Sequence, residues 1–455
     1  MQTTPDELRQ RKVHLISLGC ARNRVDSEVM LGTMMGRGWV STEEPSLADA
    51  IVVNTCGFIA SAKEESIDTI LQAAEIKKSN PDLKVVVAGC LTQRYKTQLV
   101  KGLPEVDLFV GTDEFTRIGD LLDARAGDQK LFAKRTHYLY NEDMPRVNTL
   151  AKHSAYVKVA EGCQHNCSFC IIPAIRGRLR SRPVSSIIAE VENLVASGVV
   201  EVNLIAQDLA AYGRDRTDEA DLFELLKALV KIEGLKWIRC LYVYPENISD
   251  EFLEFFATEE KIVKYLDIPV QHASDRILSK MNRQVDKKQL RDIIERVKTR
   301  VPGVAIRTSV MVGFPGETQE DFEELNKFVH DMAFTHLGCF TYSMEEGTVA
   351  GRMPDQIDDE IKKERQAIIM ETQRAVSRDN LKRLVGKTFP VLVEGLSDET
   401  DLLFQGRLST QAPEVDGIVL INDGIAVPGS IQFVSISESH DYDLVGSIAD
   451  PMQIH

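Results

Sequence analysis

Four short apolar runs rich in β-branched residues punctuate the first part of the chain: VHLISLG (13–19), AIVVNTC (50–56), KVVVAGC (84–90) and LFVGT (108–112). Between them lie stretches such as SAKEESIDTILQAAEIKK, whose charges and apolar residues suit a helix with one buried face. Continuous apolar strands alternating with helices imply a parallel sheet covered on both faces. The pattern therefore predicts an α/β domain over 1–145, ending near the polar stretch YNEDMPRVNTLAKHS.

A second alternating series follows, with candidate strands at 155–160, 200–206, 237–243, 265–270, 305–312 and 336–342, separated by helical patterns such as DEADLFELLKALVKI. Six β/α units predict a partial (β/α)6 barrel, an incomplete version of the eight-unit form, over 146–378. The charged segment 357–385 reads as an amphipathic helix with a packed and a solvated face. Beyond it the texture changes to short runs, FPVLVEG, LLFQGRL, GIVLIND and SIQFVSISESHDYDLVGSI, broken by Gly, Asp and Pro. These predict a small antiparallel β-barrel over 379–455.

A chain of 455 residues is long enough for two or three domains, and 43% apolar with 27% charged residues is a soluble, globular composition. No run approaches the roughly 20 apolar residues that cross a bilayer, and the opening MQTTPDELRQRK has no apolar core of a signal peptide, so no membrane association and a cytoplasmic location are expected. The formal charge is -15, from 69 acidic and 54 basic residues, a field that repels phosphate backbones and favours a basic protein partner. Eight cysteines in such a chain point to metal ligands or buried thiols rather than a disulfide framework.

Three of those cysteines fall within eight residues, in CQHNCSFC: Cys163, Cys167 and Cys170. Their loop follows SAYVKVAEG, the first barrel strand, and so leaves its carboxyl end, where barrel enzymes build their sites. Three thiolates can hold three irons of a 4Fe-4S cluster and leave the fourth open to a ligand, whereas a closed zinc site would need a fourth donor such as His165. Other strand ends offer Gln207, Asp208, Gln271, His272, Arg307 and Tyr342. Each alone suits a structural hydrogen bond as well as a ligand contact; together on one rim they read as a pocket. The segment IRGRLRSRP adds Arg176, Arg178, Arg180 and Arg182, which suit nucleic acid or, equally, carboxylates and an anionic cluster site.

A second trio is spread along the chain. Cys20, Cys56 and Cys90 each end an apolar strand, in SLGC, VVNTCG and VAGC. The carboxyl ends of parallel strands share one rim, so the three sulfurs are expected to converge on a second cluster, the alternative being three independent buried thiols. Cys240 and Cys339 lie inside apolar strands and read as core.

Around the first trio the chain resembles the radical S-adenosylmethionine enzymes, with Phe169 matching the aromatic residue before their last cysteine. Over its whole length it is similar to their methylthiotransferase family, on SLGCARNRVDSE, NTCGFI, AGCLTQRY, EGCQHNCSFCIIPAIRGRLRSR, VGFPGET and YSMEEGT. The resemblance implies an N-terminal three-cysteine domain, a catalytic barrel and a C-terminal TRAM barrel, with two 4Fe-4S clusters on the six cysteines. It implies S-adenosylmethionine as radical source and methyl donor, for which Phe169 and the strand-end residues Gln207, Asp208, Gln271, Arg307 and Tyr342 are the candidate contacts. The reaction implied is conversion of C-H to C-SCH3, with electrons from a low-potential donor such as flavodoxin or ferredoxin.

That family divides between tRNA adenosine modifiers and enzymes acting on the β-carbon of an aspartate in the twelfth protein of the small ribosomal subunit. From residue 380 to the end there are four basic residues, Lys382, Arg383, Lys387 and Arg407, against eleven acidic ones. So acidic a barrel is poorly suited to RNA and complementary to a basic ribosomal protein. The ribosomal-protein branch is therefore expected, with nucleic acid not expected as substrate. The alternatives are a tRNA methylthiotransferase and, in another class, a non-catalytic iron-sulfur or zinc scaffold.

Overall fold

The unbroken apolar runs of the first third become the centre of a parallel sheet, because residues buried on both faces need helices on either side. A computed structural model describes residues 10–124, 130–135, 137–218, 220–245, 248–397 and 399–449. Most of the opening segment MQTTPDELRQRK, and two of the eleven acidic residues near the C terminus, Asp398 and Asp450, lie outside the described residues.

The first sheet has six strands, β1 (Lys12–Ser17), β2 (Val40–Ser41), β3 (Ala50–Thr55), β4 (Lys84–Gly89), β5 (Leu108–Val110) and β6 (Leu131–Phe132). Their order is β2-β1-β3-β4-β5-β6, every pair parallel. β2 and β6 have two residues each, too few to carry a periodicity, which is why the sequence pattern gave four strands rather than six. The order reverses between β1 and β3, which places a crevice at the carboxyl ends of those two strands. Helices α1 (Ala21–Met35), α2 (Ala60–Ser79) and α3 (Cys90–Tyr95) follow β1, β3 and β4.

The second sheet contains β7 (Ser154–Lys158), β10 (Glu201–Ile205), β11 (Trp237–Cys240), β12 (Ile262–Asp267), β13 (Ala305–Val312) and β14 (His336–Thr341), paired in sequence order and left open between β7 and β14. A two-stranded pair, β8 (Ala160–Glu161) with β9 (Arg180–Ser181), closes the neck of the cysteine loop. The strand expected at 265–270 begins three residues earlier; the apolar run after it continues as extended chain, tied to β13 by the Ile268 N–H to Arg307 O bond and a bridge from Gln271 to Val310.

Alternation along these strands separates two cores. Ala155 and Val157 face the covering helices, with the buried Cys240 and Cys339, whereas Tyr156, Ile205, Trp237 and Tyr265 face inward and pack with Val25, Val29 and Met30 of α1. Helix α1 of the first domain thus packs against the inward face of the partial barrel.

The last domain is a closed barrel of β15 (Thr388–Leu396), β16 (Phe404–Leu408), β17 (Val419–Asp423), β18 (Ile431–Ser439) and β19 (Leu444–Ile448). Its pairs are antiparallel except β17 with β19, which is parallel. The amphipathic helix spans Asp359–Lys382 and ties the two barrels together: Gln373 donates to the Phe334 carbonyl and Ser377 to that of Asp441.

Candidate functional site

The loop carrying Cys163, Cys167 and Cys170 is fastened on every side. Gly162, at φ +80, has no room for a side chain: a Cβ there would stand 2.1 Å from the Arg178 carbonyl oxygen. Ser168 donates from its backbone N–H to Met281 O (3.0 Å) and from Oγ to Lys280 O (2.7 Å), and accepts from Ala350 N–H (2.8 Å). Phe169 packs against Ile277, Met281, Phe314 and Tyr342, so two of the expected contact residues, Phe169 and Tyr342, sit in one apolar cluster beneath the loop.

Asp208 anchors the loop from β10. One carboxylate oxygen lies 2.7 Å from His165 Nε2 and the other accepts from Ala210 and Tyr244 N–H groups, while the His165 ring stacks on Tyr244 at 4.0 Å. His165, the donor a closed zinc site would need, is thereby committed to a carboxylate. The Ile172 N–H points at Cys170 Sγ (3.4 Å), and Arg283 Nη1 lies 4.0 Å from Cys167 Sγ. Burial pushes the Cys163 thiol up to about 11 and Cys170 to about 12.

The second trio converges through glycines. Gly19, at φ +91, would place a Cβ 2.9 Å from Cys56 Cβ; Gly89, at φ +94, would place one 2.2 Å from Asn54 Oδ1; and Gly57 would strike the Cys90 backbone at 2.9 Å. Glycine at these positions allows the left-handed turn out of the strand and the close approach of Cys20, Cys56 and Cys90. Burial pushes Cys56 up to about 12 and raises Cys90 against the opposing field of Arg176. At Cys20 the Arg22 and Arg176 guanidiniums outweigh burial, and the thiol is lowered.

A buried charge network joins the two trios. Arg176, in the short helix Ile172–Arg176 after the first cysteine loop, directs Nε and Nη2 at Cys90 Sγ (3.4 and 3.3 Å). Its Nη1 bonds Asp26 (2.7 Å) and Glu161 (3.0 Å), and Nη2 also bonds Asn23 (3.1 Å). Lys158 pairs with the same two carboxylates, and Gln207 Nε2 donates to Glu161 (2.8 Å). Arg22, two residues after Cys20, donates to the Ala206 carbonyl (2.8 Å) with its guanidinium over Tyr242. Burial raises all three of Cys20, Cys163 and Cys170 and the Arg22 charge opposes it at each, prevailing with Arg176 only at Cys20, so both trios lie in the field of Arg22.

The remaining expected residues are placed as follows. Gln271 takes φ +69 and is held through its backbone to Ser309 and Met311. His272 is fully buried, its Nδ1 accepting from Ser274 N–H, behind the rim rather than on it. Arg307 faces the third domain, bonding Val415 O (3.2 Å) and Asp416 (2.6 Å), and Tyr265 and the Ala412 N–H bind the same carboxylate. Of the arginine-rich segment, Arg176 and Arg182 are buried, the latter on Glu190; Arg180 is half-buried and Arg178 exposed.

Sequence reading missed Arg22, Asp26, Lys158, Glu161, Tyr244 and Arg283. One signal was present: Lys158 stands in a strand expected to be buried on both faces, and a buried lysine needs carboxylates.

The donor sets suit iron-sulfur clusters: each trio consists of thiols alone, next to N–H donors aimed at sulfur. Among the described residues no three His, Cys, Asp or Glu side chains converge as a single ion requires; in a cluster each thiolate goes to its own iron.

Comparisons with known proteins agree with the three-part architecture. Residues 12–111 match the family described as Uncharacterized protein family UPF0004, residues 157–329 the Radical SAM superfamily and residues 385–449 the TRAM domain. A protein of Syntrophotalea carbinolica called ribosomal protein uS12 methylthiotransferase RimO is 50% identical over 447 residues, covering 98% of each chain. Relatives of the same name from Myxococcus xanthus and Bdellovibrio bacteriovorus are 48% and 49% identical, covering 99% and 96% of this chain and 94% and 97% of theirs. Among solved structures, the radical S-adenosylmethionine methyltransferase TsrM from Kitasatospora setae, with cobalamin and a [4Fe-4S] cluster bound, superposes with a TM-score of 0.53 at 16% identity, over 73% of this chain and 75% of its own, a likeness of fold.

Proposed function

The chain belongs to the RimO family of ribosomal protein uS12 methylthiotransferases, and on that premise we propose that it converts a C-H bond at the β-carbon of an aspartate in uS12 to C-SCH3. In this reading Cys163, Cys167 and Cys170 hold the 4Fe-4S cluster that binds S-adenosylmethionine, and Cys20, Cys56 and Cys90 hold a second. The first cluster supplies one-electron cleavage of S-adenosylmethionine to a 5′-deoxyadenosyl radical, and the second supplies sulfur.

The observation that carries this reading is the meeting of the two trios across one buried charge network, with Arg176 reaching from the first cysteine loop to Cys90. Around them the chain performs the supporting work. Asp208 and Tyr244 fix His165 and hence the loop; Phe169 and Tyr342 seat it on apolar ground; Gln207 turns its amide N–H to Glu161. Helix α1 packs against the inward face of the barrel and so would help keep water from a reaction in which a carbon radical must not be quenched.

The TRAM barrel, with its acidic excess, would receive the basic substrate protein. The inward turn of Arg176 and Arg182 leaves only Arg178 exposed and Arg180 half-buried in this segment, which weakens its support for tRNA as substrate. Among the described residues no helix is long and apolar enough to cross a membrane. Electrons would come from a low-potential donor such as flavodoxin or ferredoxin.

The test is peptide mass spectrometry of uS12 after anaerobic incubation with reconstituted enzyme, reductant, sulfide and S-adenosylmethionine. One aspartate gaining a methylthio group in place of hydrogen, and losing that gain in Cys163→Ala or Cys56→Ala, is expected. Cleavage of S-adenosylmethionine with uS12 unmodified and tRNA modified instead would overturn the substrate.

A further inference from the structure

Arg176 uses its five N–H groups in an unusual division. Those of Nη1 meet Asp26 and Glu161, one of Nη2 meets Asn23, and Nε with the rest of Nη2 is turned to the sulfur of Cys90. The side chain is 2% exposed, and protein atoms meet Nε, Nη1 and Nη2 alike. Asp26 and Glu161 already balance Arg176 and Lys158, two against two, and this charge balance needs no sulfur. A neutral thiol is a weak acceptor, and spending two donors of a buried guanidinium on it gains little. A thiolate is different: its bonds to a cation are charge-assisted, and a metal-bound cysteine is a thiolate.

The two trios differ in this respect. Near the first, the sulfur of Cys170 receives a backbone N–H and Arg283 stands 4.0 Å from Cys167. At the second, a buried cation approaches Cys90 with two N–H groups at 3.3 and 3.4 Å. Hydrogen bonds to sulfur, local charge and burial are the means by which a protein sets a cluster's reduction potential; donors and positive charge favour the reduced, more negative state and raise the potential.

We propose that Arg176 is a positioning residue that reaches from the radical loop to Cys90 and raises the reduction potential of the cluster held by Cys20, Cys56 and Cys90. This rests on the reading of that trio as a cluster site and goes beyond it, because it assigns control of the second cluster to a residue carried by the first cluster's loop. Arg176 lies six residues after Cys170, in the short helix that follows the first loop.

The experiment removes the first trio (Cys163→Ala, Cys167→Ala, Cys170→Ala) from the full chain, reconstitutes it anaerobically, counts iron and measures the midpoint potential of the remaining cluster by electron paramagnetic resonance. Arg176→Lys and Arg176→Gln are made in that background. The expected result is a potential more negative than the parent's in both, with Lys between Gln and the parent, because lysine keeps the charge and loses the fork. Should Arg176→Gln fail to take up iron, Arg176→Lys decides alone: a negative shift supports the proposal, and a potential equal to the parent's at equal iron overturns it. A parent background that binds no iron overturns the second cluster itself, a failure distinguishable from loss of the shift. As a further arm, Arg176→Lys in a chain lacking Cys20, Cys56 and Cys90 should leave the first cluster's potential in place; an equal shift there would make the effect general and overturn the assignment to the second.

Discussion

At the scale of single residues, the two trios are predicted to fail in different ways. Cys163→Ala abolishes both S-adenosylmethionine cleavage and methylthiolation, whereas Cys90→Ala leaves cleavage measurable as 5′-deoxyadenosine and abolishes methylthiolation; equal loss of cleavage in both would contradict the division of labour. A second prediction concerns Asp267, at the end of β12, whose carboxylate accepts from Tyr242 N–H (3.2 Å). Burial pushes its pKa up to about 6, with Arg307 opposing. Its unfolded value is about 3.9, so between these values the folded chain keeps a proton that the unfolded chain has released, and stability falls as pH rises through that window. Asp267→Asn should flatten this slope and raise Tm near neutral pH relative to the parent; thermal unfolding from pH 4 to 8 measures it, and an unchanged slope would refute it. The first trio was legible in the sequence because its spacing is local, and the second because each of Cys20, Cys56 and Cys90 ends an apolar strand. Arg22, Asp26 and Glu161 were not, because a charge acquires its role only from partners that folding supplies.

At the scale of elements, the site depends on how strands end. The glycines before Cys20 and Cys90 take positive φ where a Cβ would collide with Cys56 or Asn54. Gly89→Ala should therefore cost on the order of 1–3 kcal/mol of stability. It should also lower iron uptake at the second trio while the first retains its spectrum; full iron in both would show that the strand end tolerates the change. Strand positions were legible to within a few residues wherever a run was long and apolar. The two-residue edges β2 and β6 had no pattern to read, and β12 was displaced because the apolar run continues past its last ladder pair.

At the scale of the whole molecule, the last domain is locked to the partial barrel by a buried ion cluster that no sequence pattern announces, since Arg407 and Glu201 lie 206 positions apart. Arg407 of β16 is 1% exposed and bonds Glu201 of β10 (2.6 Å) and Glu394 of β15 (2.7 Å), with Arg239 on the same Glu201. Removing one partner leaves a buried charge uncompensated, so Arg407→Met should destabilise by about 3–5 kcal/mol and loosen the TRAM barrel from the catalytic barrel. Thermal unfolding checks the first effect and limited proteolysis near residue 385 the second; a Tm equal to the parent's would contradict both. The domain sequence was legible from changes of texture, but the packing of α1 against the inward face of the partial barrel, which brings the trios together, was not. That convergence is tested most directly by iron analysis with Mössbauer spectroscopy on three chains: the parent, one lacking Cys163, Cys167 and Cys170, and one lacking Cys20, Cys56 and Cys90. The result predicted is about half the parent's iron in each triple variant, with a 4Fe-4S signature remaining in both. Undiminished iron after loss of Cys20, Cys56 and Cys90 would contradict the second cluster, and with it the source of sulfur.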